Sequence, residues 1–205
     1  MKANDETRRT FLLTGAAASL TPLLARADQE SHLQHGPYVN LWKWLEGTTW
    51  YVPSPNLLAF NYDAATNRIV PLSDQTVYQI TGYRLGYFCG RTATQINENT
   101  RTFSALFGSV TPEGKILLSF KQYDSITSVP IQGFGSMTRK AGQWTMENQM
   151  FSSVPSTNPT STVGHWAYMV QTEPGSASWN SLPGVNVSVD EFLAGCPEAP
   201  SLFNA

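Results

Sequence analysis

The chain has 205 residues, of which 41% are hydrophobic, 12% are aromatic and 14% are charged, and its formal net charge is −2. With so little basic charge it has no patch that could hold a nucleic-acid backbone, so nucleic acid is not an expected partner. The sequence also lacks a Cys/His cluster with zinc spacing, a phosphate-binding loop, a nucleotide-binding glycine fingerprint, a nucleophile elbow and an EF-hand loop. We therefore predict no metal site and no cofactor.

The first 27 residues have the pattern of an export signal. The pair Arg8-Arg9 precedes an apolar run that extends to Leu24, and residues 25–27 (Ala-Arg-Ala) have the small-x-small pattern of a signal-peptidase site. This stretch resembles a bacterial twin-arginine signal. The resemblance implies recognition by the twin-arginine export machinery and transport of the folded protein to the periplasm or the outside. The alternative is an amphipathic N-terminal helix or a membrane anchor.

Cleavage after residue 27 would leave residues 28–205, a length that suits one domain. That part of the chain has nine basic and thirteen acidic residues, so its net charge is −4. The apolar run in the signal is shorter than the ~20 residues needed to span a bilayer, and no second run of that length follows it. We therefore expect no membrane span in the mature chain.

The start of the mature chain is predicted to be a polar arm, residues 28–39, followed by a short helical turn. Residues 41–45 (Leu-Trp-Lys-Trp-Leu) would form that turn and pack on the end of a barrel. Gly47 and Trp50 are similar to the Gly-x-Trp opening of lipocalins, in which a Trp on the first strand plugs the barrel base. Here two residues separate Gly47 from Trp50 instead of one, so the motif is not met.

Short apolar or alternating runs, separated by turn residues, predict roughly nine strands. In one hairpin the turn is residues 111–114 (Thr-Pro-Glu-Gly), since Pro presets φ for a type I turn and Gly is favoured at its end. Pro71 is predicted to close a short strand. Ser188 and Glu191 form a capping box that predicts one C-terminal helix over residues 189–194. The predicted runs are residues 47–52, 56–62, 68–72, 75–81, 85–96, 101–110, 115–123, 131–138, 143–151 and 163–172.

This succession of strands predicts an all-β fold. Neighbouring strands joined by tight turns must be antiparallel, so the fold is an up-and-down barrel of about 8–9 strands or a two-sheet sandwich. Mid-strand glycines, such as those in residues 131–138, favour strong coiling and hence a barrel. The layout resembles the calycins, that is, lipocalin-like and avidin-like barrels. This resemblance implies an interior that can hold one small ligand.

An aromatic wall inside the barrel is the basis of the leading functional hypothesis, an exported protein that binds a small, partly aromatic or apolar molecule. Aromatic walls with a few polar tips suit such ligands, although the same rings could be ordinary core packing. Asp74 is interpreted either as a group at the pocket rim or as a turn residue. The candidate ligand-binding residues are Trp50, Tyr62, Tyr78, Tyr87, Trp144, Trp166 and Tyr168.

Alternation does not decide which face of the strand at residues 143–151 points inward. One face carries Thr145, Glu147 and Gln149, and the other carries Trp144, Met146, Asn148 and Met150. If Glu147 and His165 both point inward, they form a candidate acid/base pair, because a buried carboxylate needs a partner. The protein would then be a cofactor-independent isomerase, cyclase or lyase. A third possibility is a structural or partner-binding module that presents the loop at residues 152–162.

The two cysteines, Cys89 and Cys196, are predicted to form a disulfide, since an even count in an oxidising compartment permits one. Such a bond would close a loop of about a hundred residues and contribute about 4–5 kcal/mol in the chain-entropy model. The alternative is a buried free Cys89 and an exposed free Cys196.

Overall fold

The computed structural model of the chain describes residues 40–53, 58–63, 65–97, 100–124, 130–153 and 161–202. These residues belong to one unit, Pro37–Ala205. The export signal predicted for residues 1–27 and the arm predicted for residues 28–39 lie outside the described residues. Within the described ranges, no helix is long and apolar enough to cross a membrane.

The described chain is mostly β-structure. A 3-10 turn, Lys43–Leu45, precedes the strands, and two short helices follow them, α1 (Ala177–Asn180) and α2 (Val189–Phe192). The strands are β1 (Thr49–Tyr51), β2 (Leu58–Asp63), β3 (Arg68–Arg84), β4 (Tyr87–Ile96), β5 (Thr102–Val110), β6 (Lys115–Gln122), β7 (Ile131–Lys140), β8 (Gln143–Ser153) and β9 (Ser161–Thr172).

The strands form a closed antiparallel barrel with eight strand positions. Consecutive strands from β2 to β9 are neighbours, and β9 pairs back with β2 to close the ring. β1 shares the position of β2 between β3 and β9, but it pairs with later residues of both strands, so that Trp50 lies opposite Tyr78 and Gln171. The predicted fold class, an all-β up-and-down barrel with a short C-terminal helix, is confirmed.

Tight turns connect the strands at one end of the barrel, which we call the turn end. The predicted turn at residues 111–114 joins β5 to β6, and the Gly114 amide donates to the Thr111 carbonyl over 2.8 Å. Two-residue turns at residues 85–86 and 141–142 join β3 to β4 and β7 to β8, and all four of these residues have positive φ. Positive φ at both positions is the geometry of a type I′ turn, whose twist matches that of paired strands.

Two predicted boundaries around β3 are wrong. β3 is one continuous strand, whereas the sequence predicted two strands, at residues 68–72 and 75–81. Pro71 is tolerated inside it because the described pairing there is on one side only: Pro71 lies opposite Phe60 of β2, and pairing with β4 begins at Asp74. The turn predicted over residues 82–84 lies instead at residues 85–86, where Gly86 adopts a φ of +85° without strain.

Aromatic rings fill the turn end. Trp42, Trp44, Trp50 and Trp144 form a chain of ring contacts with centroids 5.3–6.2 Å apart. Trp42 also reaches the turn between β5 and β6, where a Cβ on Gly114 would lie 3.1 Å from its ring. The helical turn predicted for residues 41–45 is therefore confirmed, and it closes this end of the barrel.

Three of the four connections at the opposite end, which we call the loop end, are longer, and the fourth is residues 64–67 between β2 and β3. The connections β4–β5, β6–β7 and β8–β9 are residues 97–101, 123–130 and 154–160, whereas those at the turn end have two to four residues. The loop predicted for residues 152–162 belongs to this end, and residues 154–160 lie outside the described residues. Long loops on a rigid scaffold are where binding residues concentrate.

The C-terminal segment packs on the outside of the barrel and forms a second hydrophobic core. This core consists of Val77, Ala93, Leu182, Val189, Phe192 and Leu193. The Ser188 half of the predicted capping box is present, since the Glu191 amide donates to the Ser188 hydroxyl over 3.1 Å at the start of α2. The Arg101 guanidinium donates to the Glu191 carbonyl and lies 5.6 Å from the centroid of the Phe192 ring, which fastens α2 to the barrel.

The predicted disulfide is wrong, because Cys89 and Cys196 are both free and both buried. The Cys89 thiol donates to the Pro200 carbonyl over 3.0 Å, whereas the Cys196 thiol donates to the Thr92 carbonyl over 3.8 Å. Each thiol is thus directed at a different backbone group where the C-terminal segment covers the barrel. Burial raises the pKa of both thiols.

Candidate functional site

The orientation of β8 identifies the residues that face the barrel interior. Its inward-pointing residues are Trp144, Met146, Asn148 and Met150. Met146, Asn148 and Met150 are at most 3% exposed, and the two methionines belong to the core inside the barrel. Gln149, the next residue along from Asn148, is exposed on the outer face. The structure therefore selects one of the two faces that alternation left open.

Three of the seven predicted ring residues lie on the inner face. Trp50 is fully buried, and its indole nitrogen donates to the Thr48 hydroxyl over 2.8 Å. Tyr78 is 3% exposed, and its ring centroid lies 5.1 Å from that of Phe120. Trp144 packs at the turn end. These rings belong to the interior that the ligand hypothesis requires.

The other four ring residues lie on the outer face. Tyr62, Tyr87 and Trp166 are exposed by 41%, 51% and 47%. The Tyr168 ring lies 5.5 Å from the Trp166 ring, and the Lys140 ammonium lies 5.3 Å from the Tyr168 centroid. The structure brings none of these four rings into the interior.

Glu147 and His165 are not register partners. Glu147 lies opposite Tyr168, whereas His165 lies opposite Met150. Glu147 is on the outer face, where its carboxylate lies 2.6 Å from the Lys140 ammonium and accepts a hydrogen bond from Thr138 over 2.8 Å. The hydrogen bond from Lys140 lowers the pKa of Glu147, with a smaller contribution from Thr138. The structure thus places Glu147 outside the barrel, and it describes nothing of the His165 side chain.

The interior contains polar side chains on three adjacent strands, which we call the polar arc: Asp74 and Thr76 of β3, Thr92 and Thr94 of β4, and Ser104 of β5. The strand register places Thr76 opposite Thr94, and Thr92 opposite Ser104. The Thr76 hydroxyl donates to Asp74 Oδ1 over 2.7 Å and lies 3.0 Å from the Thr94 hydroxyl. The Thr92 hydroxyl is buried and has no hydrogen-bond partner among the described residues.

Asp74 brings a titratable group into this arc. It is 3% exposed, and burial raises the pKa of its carboxyl to about 6, against a smaller lowering by the Thr76 hydroxyl. Tyr78 follows Thr76 on the inner face of β3, and burial followed by the Asp74 charge raises the pKa of the Tyr78 phenol. The arc can therefore offer a carboxyl whose charge changes near neutral pH.

Asn148 is the polar residue on the opposite wall. It is 1% exposed, and neither its Oδ1 nor its Nδ2 has a hydrogen-bond partner among the described residues. It lies opposite Gly135, and a Cβ on Gly135 would come within 3.0 Å of Asn148 Oδ1. β4 and β8 are four positions apart in a ring of eight, so Asn148 and Thr92 face each other across the barrel.

Glycines on β5 and β7 make room for large side chains in the interior. A Cβ on Gly133 would lie within 3.0 Å of the Met150 sulfur, and one on Gly108 would lie within 3.0 Å of the Phe88 ring. Gly133 and Gly135, the paired glycines predicted to bend their strand, thus also leave space for side chains of β8. Four methionines line this side of the interior core: Met137, Met146, Met150 and Met169.

A separate cleft of about 470 Å³ lies at the turn end, lined by Gly142, Gln143, Trp144, Gln171, Thr172, Glu173, Ser176 and Ser178. The hydroxyls of Thr172, Ser176 and Ser178 already bond one another over 2.7–3.2 Å. Because these groups satisfy one another, the cleft offers less unmet hydrogen bonding than the interior does.

The functional residues that sequence reasoning missed are the buried polar ones. The sequence indicates a rim or turn position for Asp74, and no pattern in it singles out Thr92. Alternation places Asn148 only as one member of a set that faces either inward or outward. The available signal is that Asn148 shares a strand face with Met146 and Met150. If that apolar face points into the core, Asn148 is buried with it. Among the described residues, no group of three or more His, Cys, Asp or Glu side chains could hold a metal ion.

Comparison with known proteins adds no family to this description: the chain matches no protein-family model, no curated protein and no solved structure.

Proposed function

We propose that this protein is an exported barrel that binds a small, partly aromatic or apolar molecule in its interior. The molecule would enter from the loop end. Asn148 carries the proposal. A buried polar group without a partner costs about 1–3 kcal/mol, and Asn148 has two such atoms. A bound molecule that pairs with them removes that cost, which explains why an amide is kept in this apolar row.

The surrounding interior supports the same proposal. Its described walls combine aromatic rings, methionines and the polar arc, which is the mixture typical of small-molecule sites. The short turns and the packed rings of Trp42, Trp44 and Trp144 close the turn end, which supports entry of the ligand from the loop end.

The binding proposal is tested on protein purified from its natural host under native conditions. Native mass spectrometry should detect a bound small molecule, and Asn148→Leu should lower its occupancy. Gln149→Leu is the matched control, because it makes the same change one residue away on the outer face. A wild-type protein that carries no molecule and binds no apolar probe such as naphthalene contradicts the proposal.

Export is proposed from the N-terminal pattern, Arg8-Arg9 followed by an apolar run and Ala-Arg-Ala at residues 25–27. Replacing both arginines with lysine should abolish accumulation in the periplasm while leaving cytoplasmic synthesis intact. Undiminished periplasmic protein in that variant contradicts export by the twin-arginine route.

The enzyme alternative is favoured by one observation, the buried Asp74 carboxyl beside Tyr78. A carboxyl with a pKa of about 6 can accept and return a proton near neutral pH, which suits an isomerase, cyclase or lyase. In this version of the enzyme alternative, Asp74 takes the acid/base role that the sequence analysis gives to Glu147 and His165. Asp74→Asn should then abolish turnover of the bound molecule while retaining its binding, whereas full turnover by this variant rules out that role.

A further inference from the structure

We propose that the ligand carries a lactam edge, an adjoining N–H and C=O within a ring, that pairs with the side-chain amide of Asn148. This inference rests on the proposed function, since it names the chemistry of the molecule bound in the same interior. It begins from the fact that both Oδ1 and Nδ2 of this residue are buried and unpaired among the described residues.

The described neighbours of Asn148 offer its side-chain amide no partner. Its register partners are Gly135 and Ala167, and its inward-facing neighbours on β8 are Met146 and Met150. None of these residues has a side-chain nitrogen or oxygen. A buried water typically needs two to four polar partners, and these neighbours supply none beyond Asn148 itself. Among these described neighbours, only Asn148 itself could hold a water, so we assign the two unpaired atoms to a ligand group.

The chemistry of the amide selects the kind of group. Asn presents one acceptor and one donor side by side, so a partner that offers one donor and one acceptor at the same spacing satisfies both atoms. A carboxylate would pair with Nδ2 but set a second acceptor against Oδ1, and an ammonium would pair with Oδ1 alone. A neutral lactam edge completes both bonds.

The walls around the amide indicate what the rest of the molecule is like. Methionines line this side of the interior, and methionine adapts its shape to flat or irregular apolar groups. Phe120 and Tyr78 supply aromatic surface, and the unpaired Thr92 hydroxyl faces Asn148 across the barrel. We infer a flat, mostly apolar ring system with the lactam on one edge, and room for a second polar group on the far side.

Matched probes test the inference on the unmodified protein. Carbostyril is a bicyclic aromatic lactam, and N-methylcarbostyril keeps its rings and carbonyl but replaces the N–H with a methyl group. In equilibrium dialysis with the mature wild-type protein, carbostyril should bind at least about tenfold more tightly than N-methylcarbostyril does. This is the ratio expected when one buried hydrogen bond is lost and one acceptor is left unpaired. Naphthalene serves as the apolar probe without either group.

Variants locate the effect. Asn148→Leu should reduce the preference for carbostyril over N-methylcarbostyril to about one, and it should bind naphthalene at least as well as the wild type does. Gln149→Leu should retain the wild-type preference. Circular dichroism should show that both variants are folded at the assay temperature, and the wild-type comparison stands without them.

The outcomes separate the inference from the proposed function. If naphthalene and both lactam probes bind the wild type equally, the lactam inference is overturned and interior binding stands. If the preference survives in Asn148→Leu, the amide is not the selecting group and the inference is again overturned. If no probe binds and no molecule co-purifies, the proposed function fails together with the inference.

Discussion

Asn148 lies directly against Gly135, its register partner on β7, and the absent side chain of that glycine is what makes room for the amide. A Cβ at Gly135 would lie within 3.0 Å of both Asn148 Oδ1 and the Glu147 carbonyl oxygen, closer than real Cβ contacts come. The glycine on the neighbouring strand thus leaves the space that the amide of the candidate site occupies.

We expect Gly135→Ala to destabilise the protein by about 1–3 kcal/mol or more, because the new methyl group overlaps a backbone oxygen that cannot move freely. It should also weaken binding of the co-purifying molecule, since Asn148 must shift. Gly164→Ala is the control: Gly164 is also in a strand, and a Cβ there would meet nothing within 4 Å. Denaturant unfolding measures both variants, and equal stability would contradict the packing.

Local sequence patterns predicted much of the fold because they act over a few residues. The turn at residues 111–114 and the cap at Ser188 each depend on neighbours in the chain, and both are observed. The division of β3 at Pro71 was wrong because the tolerance for proline depends on which strands are paired beside it, and this is set by distant residues. The free cysteines have the same origin, since the docking of the C-terminal segment sets where Cys196 lies relative to Cys89.

The candidate site was predicted only in part, because strand alternation fixes two faces without saying which is inside. Of the rings proposed for the wall, Trp50 and Tyr78 are inside, whereas Tyr87 and Trp166 are exposed on the outer face. A large apolar ring satisfies the same pattern on either face. Only closure of the barrel decides between them, and closure also buries Asn148.

The Asn148→Leu variant should be more stable than the wild type by about 1–3 kcal/mol, although it should bind the co-purifying molecule less well. The change removes two buried unpaired atoms and adds an apolar side chain of similar size to a row that already contains Met146 and Met150. A gain in stability at the expense of activity is typical of functional sites. Gln149→Leu should change the free energy of unfolding by less than about 0.5 kcal/mol. If Asn148→Leu is destabilised, the amide has a structural partner.

Both thiols should be titratable without prior reduction, because Cys89 and Cys196 are free. Burial raises the pKa of each, so little thiolate is present near neutral pH and native protein should react slowly with an aromatic disulfide reagent. Unfolding in denaturant should release both thiols at once. Mass spectrometry of the unreduced protein that shows a loss of two hydrogens, and no reaction after unfolding, would contradict the structure.

Asp74 should make the protein less stable as the pH rises from about 4 to about 7. Its pKa is raised from 3.8 to about 6 in the folded chain, so between these values the folded state binds the proton more tightly than the unfolded state does. The associated stability is fully present below pH 4 and is lost as the pH passes through 6, and the shift corresponds to about 3 kcal/mol.

Asp74→Asn removes the titration and retains an oxygen that can accept the hydrogen bond from Thr76. The difference in unfolding free energy between this variant and the wild type should therefore grow in favour of the variant from pH 4 to pH 7. Asp124→Asn makes the same change at an exposed carboxyl and serves as the control. Urea unfolding at each pH measures both, and a difference between Asp74→Asn and wild type that does not vary with pH would show that Asp74 titrates as an exposed carboxyl does.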